Sequence, residues 1–330
     1  MKILGCAAAM LVLASSSCGQ NTAALFSPDG SSPNSSAANS SAGDSNAVHA
    51  GAAHVSAGPL TANEVIEQIK AHVGVPWHEP TVDTFKAGDP QTRITGIAVT
   101  MMATLDVLQR AAANGQNLII THEPTFFDHQ DNPTQLPEGE QDPVLAQKRA
   151  FIAEHHLVVW RFHDYWHRRN PDGIEAGNVR ALGWEKFQDP ANQYLFTIPE
   201  TTVEKLATEV GAKLHAAVPR IAGDRRMKVT RVAFSPGSAG FHREAGALEM
   251  PDVQVLIAGE THEWETVEYV TDAYTERRAK ALILLGHIAS EQAGMEECAR
   301  WLRTFVSGVR IEFVASGDMW AAPAKLPEKH

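Results

Sequence analysis

Imidazoles and carboxylates recur at one kind of place in this 330-residue chain, immediately after a short apolar run. Ile119-Ile120-Thr121 runs into His122-Glu123-Pro124. Val158-Val159-Trp160-Arg161-Phe162 runs into His163-Asp164-Tyr165-Trp166-His167. Leu284-Leu285-Gly286 runs into His287, with Glu291 four residues on. Imidazole nitrogen and carboxylate oxygen are the donor set for zinc, iron, manganese or nickel. Two divalent metal ions held about 3.5–4 Å apart need several such ligands, including a carboxylate able to bridge them. Six residues qualify: His122, Glu123, His163, His167, His287 and Glu291. Taken singly, each has a plainer reading. A histidine at a strand end is usually hydrogen-bonded or solvated, His163 and His167 could sit on an aromatic surface turn, and Glu291 would suit the positive end of a helix. The joint pattern favours metal, provided the three ends lie side by side.

The elements that must position them read as an α/β protein. Thr61-Ala62-Asn63-Glu64 is a capping box opening a helix with Val65, Ile66, Ile69 and Val73 on one face. Strands are expected over 94–101, 117–121, 157–160, 194–198, 229–234, 253–258, 281–285 and 309–314. Helices are expected over 105–113, 144–155, 203–214, 263–273 and 291–305. Short apolar strands alternating with amphipathic helices make helix-covered, largely parallel sheets. Ligands of such sheets collect beyond the carboxyl ends of the strands. The halves are expected at 59–190 and 191–320, parted near Asp189-Pro190, with a frayed tail at 321–330.

Composition narrows the function classes. With 28 Lys+Arg against 39 Asp+Glu the chain carries a net charge of −11, which argues against nucleic acid as a partner. Three cysteines, Cys6, Cys18 and Cys298, exclude a disulfide scaffold and a Cys-based zinc finger. Residues 1–18 read as an export signal: Met1-Lys2, an apolar run from Ile3 to Ala14, then small residues ending at Cys18. The segment resembles a bacterial lipoprotein signal with Cys18 as the lipid-bearing residue, although Ser15 stands where Leu is usual. Residues 19–58 hold 9 Ser, 10 Ala, 5 Gly and 4 Asn, too little apolar surface to offset ordering, and read as a flexible tether. The expected location is the cell envelope or periplasm, touching the membrane only through a lipid on Cys18. Cys298, inside a helical pattern, is expected to be buried.

Gly96 to Thr100 followed by Asn117-Leu118-Ile119-Ile120-Thr121-His122-Glu123-Pro124-Thr125-Phe126-Phe127 resembles the first signature of the Nif-three-like family, proteins with a dinuclear metal centre that also carry a type-two GTP cyclohydrolase label. Gly286-His287-Ile288-Ala289-Ser290-Glu291 resembles its closing signature, and His163 to His167 with Asp172-Gly173 its central segment. The resemblance implies that His122, His287 and Glu291 are metal ligands. Glu123 stands where the common pattern has a second His, and His167 where it has Asp. His163 matches the central-segment His. The resemblance also implies two related α/β halves and a homo-oligomer, in many members a hexamer. Gly259-Glu260-Thr261-His262 resembles a segment entering the cavity, which makes Glu260 and His262 the catalytic proton carriers to consider. Trp160 and Trp166 offer rings that could stack a flat substrate, with core packing the stronger reading for Trp160.

The activity expected is hydrolysis of a small-molecule substrate by a metal-activated water. The alternative is a non-catalytic metal buffer, delivery factor or scaffold of the envelope. The chain has no Gly-Lys-Ser/Thr phosphate loop, and an exported location makes GTP a poor substrate.

Overall fold

The computed structural model describes residues 60–321. The expected signal, tether and lipid-bearing Cys18, and the tail beyond residue 321, lie outside the described residues. Among the described residues no helix is long and apolar enough to cross a membrane.

The chain begins with α1 (Ala62–His72), β1 (Phe85–Ala87), β2 (Gly96–Thr100), α2 (Leu105–Ala113), β3 (Leu118–Thr121), α3 (Pro143–Glu154), β4 (Val158–Arg161), α4 (Asp164–Arg168) and α5 (Gly173–Leu182). It continues through β5 (Leu195–Thr202), α6 (Val203–Lys213), β6 (Arg220–Gly223), β7 (Lys228–Ser235), α7 (Phe241–Glu249), β8 (Val255–Ala258), α8 (Glu268–Thr275), β9 (Ala281–Leu284), α9 (His287–Leu302) and β10 (Arg310–Phe313). The capping box forms as written: Thr61 Oγ1 accepts the Glu64 N–H at 3.2 Å, and Glu64 Oε2 accepts the Thr61 N–H at 2.7 Å.

Two five-stranded sheets result, ordered β1-β4-β3-β2-β10 and β5-β7-β8-β9-β6. The first holds four parallel strands, β10-β2-β3-β4, with antiparallel β1 at one edge, and the second holds three, β7-β8-β9, with antiparallel β5 and β6 at its edges. Every residue of β2, β3, β4, β8 and β9 is buried, as expected of parallel strands covered by helices on both faces. All the parallel strands in a sheet end on one side, so the His-bearing exits of β3 and β4 are neighbours.

Four differences from the sequence reading have physical causes. First, β10 pairs with β2 (Ile311 opposite Ile97), and α9 sends Met295, Cys298 and Leu302 into the core of the first sheet, so a division near residue 190 does not separate the two sheets. Second, α9 starts at His287 rather than Glu291, which puts these residues one turn apart on a single helix. Third, Trp166 is buried as well as Trp160, for which core packing is the stronger expectation (0% and 1% exposed), and the Trp166 indole donates to Gly294 O at 3.2 Å. Both rings are core, so neither stacks a substrate; replacing such a ring by Ala costs about 3–5 kcal/mol. Fourth, the segment expected as one helix from 263 opens with a π-helical turn, Glu263–Val267, before α8.

The two sheets meet where α5 crosses α9. A Cβ on Gly177 would meet the backbone of Ala293 and Gly294, and one on Gly294 would meet Ile174. The helices are therefore in close backbone contact, which fixes Asp172, the N-cap of α5, relative to Glu291 on α9.

Candidate metal centre

The exits of β3, β4 and β9 converge. His122 and Glu123 follow β3, His163 precedes α4, His167 lies in α4, and His287 and Glu291 share the first turns of α9. His122 Nε2 is 3.6 Å from Glu291 Oε2, and His167 Nε2 is 3.8 Å from Glu291 Oε1. His287 Nε2 is 3.1 Å from Glu291 Oε2 and 3.3 Å from Glu123 Oε1, while His163 Nε2 is 3.9 Å from Glu123 Oε1. Two overlapping groups, His122-His163-His167 and His122-Glu123-Glu291, each have donor atoms within 4.8 Å of one another.

The far side of each imidazole is occupied. His122 Nδ1 bonds Phe162 O at 3.0 Å, and His163 Nδ1 bonds Asp164 Oδ1 at 3.0 Å. His167 Nδ1 bonds Asp172 Oδ2 at 2.9 Å, and His287 Nδ1 faces Glu260 Oε2 at 3.4 Å. A carbonyl or carboxylate only accepts, so each Nδ1 carries the hydrogen and each Nε2 is directed into the shared space. Such outer partners fix the tautomer and ring orientation of histidines that bind metal. The sequence reading did not single out Asp164, Asp172 or the Phe162 carbonyl for this role.

Second contacts hold these partners. Asp83, in the loop before β1, accepts the backbone N–H of His163 (2.7 Å), Asp164 (2.9 Å) and Tyr165 (2.8 Å), which anchors the start of α4. Asp164 Oδ2 accepts from Thr81 Oγ1 at 2.8 Å, and Asp172 Oδ2 accepts from Tyr194 OH at 2.9 Å. Gly237, at φ +67°, presses its backbone on Glu291: a Cβ there would strike the carboxylate.

The electrostatics follow from burial and pairing. Burial, reinforced by the neighbouring His163 and His167, lowers the pKa of fully buried His122 well below its ordinary value, so the ring is neutral. Its Nε2 has no hydrogen-bond partner among the described residues. Burial opposes the charge on Glu123, but the hydrogen bond from His287 and the nearby imidazoles hold its carboxyl well below the usual range. Burial also opposes a charge on His287, yet hydrogen bonds to Glu123, Glu260 and Glu291 push it up to about 12.

An orphaned, buried, neutral imidazole nitrogen among carboxylate oxygens fits a cation, and the all-nitrogen-and-oxygen donor set suits a divalent transition metal. The centre is closed beneath and open above. His122, Glu291 and Glu123 have side chains 0%, 4% and 10% exposed, whereas His163, His167 and His287 lie at 22%, 28% and 19%.

The model of the family Duf34/NIF3 (NGG1p interacting factor 3) matches residues 60–318. The chain belongs to the Duf34/NIF3 family. Its two helix-covered α/β sheets are the fold seen in other Duf34/NIF3 proteins. The Staphylococcus aureus hypothetical protein SA1388 superposes with a TM-score of 0.60 at 16% identity, over 78% of this chain and 97% of that one. A Bacillus cereus protein related to NIF3 gives 0.60 at 12%, over 82% and 99%. Relatives named GTP cyclohydrolase 1 type 2 homolog are 26% identical over 216 residues in Clostridium acetobutylicum, spanning 62% of this chain and 75% of that protein, and 22% identical over 225 residues in Chlamydia trachomatis, spanning 66% and 83%.

Of the two expected proton carriers in this Duf34/NIF3 chain, Glu260 lies beside His287. His262 does not join the cluster: its side chain is 61% exposed, bonds Glu265 at 3.1 Å and stacks on Trp264 at 4.3 Å. A polar residue entering a helix looks alike in sequence whether it turns inward or outward.

Proposed function

We propose that this Duf34/NIF3 chain is a metal-dependent hydrolase of a small-molecule substrate, built around a pair of divalent cations. Four imidazoles gathered about two carboxylates, with His122 buried and the His163, His167 and His287 rings partly exposed, carry the reading. Structural metal sites are closed, whereas catalytic ones keep a position open. His122, Glu123, His163, His167 and His287 would hold the cations. Glu291, with Oε2 toward His122 and His287 and Oε1 toward His167, would be shared. When bound, the cations supply Lewis-acid polarisation of the bond to be cut and acidify water toward neutral pH.

The chain's own groups orient and move protons. Asp164, Asp172 and Glu260 fix the ring planes of His163, His167 and His287. The Glu260 side chain is 56% exposed. A hydrogen bond from His287, with others, lowers its pKa, so the carboxylate is ionised and able to take a proton on an oxygen from a hydroxyl entering at the rim.

Metal-loaded protein should turn over at least one member of a panel of phosphodiester, nucleotide (GTP included, because of the relatives' name) and amide substrates. Glu291→Gln should abolish that turnover. Full metal occupancy with no turnover on the panel supports storage or delivery instead. The leader composition and the family resemblance support an exported, Cys18-anchored homo-oligomer, which mass spectrometry of the membrane fraction and sedimentation would test.

A further inference from the structure

We propose that Arg161 is a positioning residue that makes Glu123 a one-oxygen ligand. The proposal rests on the metal-dependent reading above. Arg161 closes β4 and is 0% exposed. A guanidinium so buried is strongly unfavourable unless its donors are satisfied, and here they go to one place. Nε donates to His122 O at 3.0 Å, Nη1 to His129 O at 2.6 Å and Nη2 to Glu123 Oε2 at 3.4 Å. All three acceptors belong to the exit of β3, and the carboxylate among them is Glu123.

The consequence is a division of labour between the two oxygens of Glu123. Oε2 is taken by Arg161. Oε1 is turned the other way, 3.3 Å from His287 Nε2 and 3.9 Å from His163 Nε2. A free carboxylate can chelate with both oxygens or bridge. One whose second oxygen accepts one arm of a guanidinium fork presents a single free donor. The same fork holds the carbonyl of His122, so the two ligands of the β3 exit keep a fixed spacing. The contrast with Glu291 is informative, since that carboxylate directs both oxygens at ring nitrogens.

The test is a double-mutant cycle on the full chain, with Zn²⁺ titrated against a competing chelator. Arg161→Met should weaken Zn²⁺ binding by about 10–100-fold, the usual effect of losing an outer partner. In a Glu123→His background, where no second oxygen needs holding, Arg161→Met should cost markedly less than in the parent, the remainder being the lost hold on the His122 carbonyl, with a similar drop in melting temperature in both backgrounds. Arg161→Lys, which keeps the charge without the fork, should also lose affinity in the parent and covers the case in which the Met variant does not fold. Equal losses in both backgrounds, or parent-like affinity in Arg161→Lys, would overturn the proposal. A parent chain that takes up no Zn²⁺ would sink the metal reading itself, before any substitution, and the clamp with it.

Discussion

Loading the centre at pH 7 should expel close to two protons from His287 and His167 together. In the metal-free chain His287 is raised to about 12 by its three carboxylate partners, against the effect of burial. His167 is raised to about 9: burial again opposes, and Asp172 and Glu291 outweigh it. Both rings are therefore almost fully charged at pH 7, and a cation takes only the neutral ring. His122 is already neutral and releases none. Two ordinary histidines, with pKa values of about 6.5, would together release only about half a proton at this pH. Calorimetric titration of Zn²⁺ in buffers of different ionisation enthalpy counts the protons directly. His287→Ala and His167→Ala should each lower the count by about one. The same shifts fix the sign for the metal-free fold. A raised folded-state pKa stabilises fully below the unfolded value and is lost as pH rises through the folded one, so the His167–Asp172 pair should weaken between about pH 6.5 and 9. If neither alanine variant changes the proton count, the charge states deduced for these rings are wrong.

Three further outcomes follow from the supporting contacts. Asp83→Ala removes the anchor of three backbone N–H groups at the start of α4 and should cost about 2 kcal/mol or more by denaturant unfolding; a loss under about 0.5 kcal/mol would count against it. Gly237→Ala combines a left-handed backbone angle with a collision at Glu291, so it should lower both melting temperature and metal affinity; unchanged affinity would show that Glu291 does not depend on this loop. Glu175 is fully buried, neither of its carboxylate oxygens has a hydrogen-bond partner among the described residues, and burial together with Asp172 raises its pKa well above the ordinary range. Its contribution is full below the unfolded carboxylate value and lost as pH rises through the folded one, so Glu175→Gln should gain stability relative to the parent from pH 5 to pH 8. No change in that difference would argue against an ionisation penalty.

The sequence is legible where the chemistry is local. The capping box at Thr61 and Glu64, the buried strands ending at Thr121 and Arg161, and the histidines beyond them depend on neighbours within a few residues. Convergence of the exits does not: it depends on α9 touching both sheets and on β10 returning to pair with β2, pairings across more than 200 residues. The partners on Nδ1 were invisible for a different reason. One is the main-chain carbonyl of Phe162, which no residue type encodes, and Asp83 acts from a loop outside any repeating pattern. Arg161 did leave a trace, a charge closing an otherwise apolar strand. The edge strands β1 and β6 are three and four residues long and only partly buried, too short to show a period.

Elemental analysis of the purified chain, beside a His122→Ala/His287→Ala variant, tests the centre of this account most directly. The parent should hold two equivalents of a divalent transition metal per chain, and the variant near none. A parent that stays metal-free after exposure to zinc, iron, manganese and nickel, or a variant that retains the full complement, would contradict it.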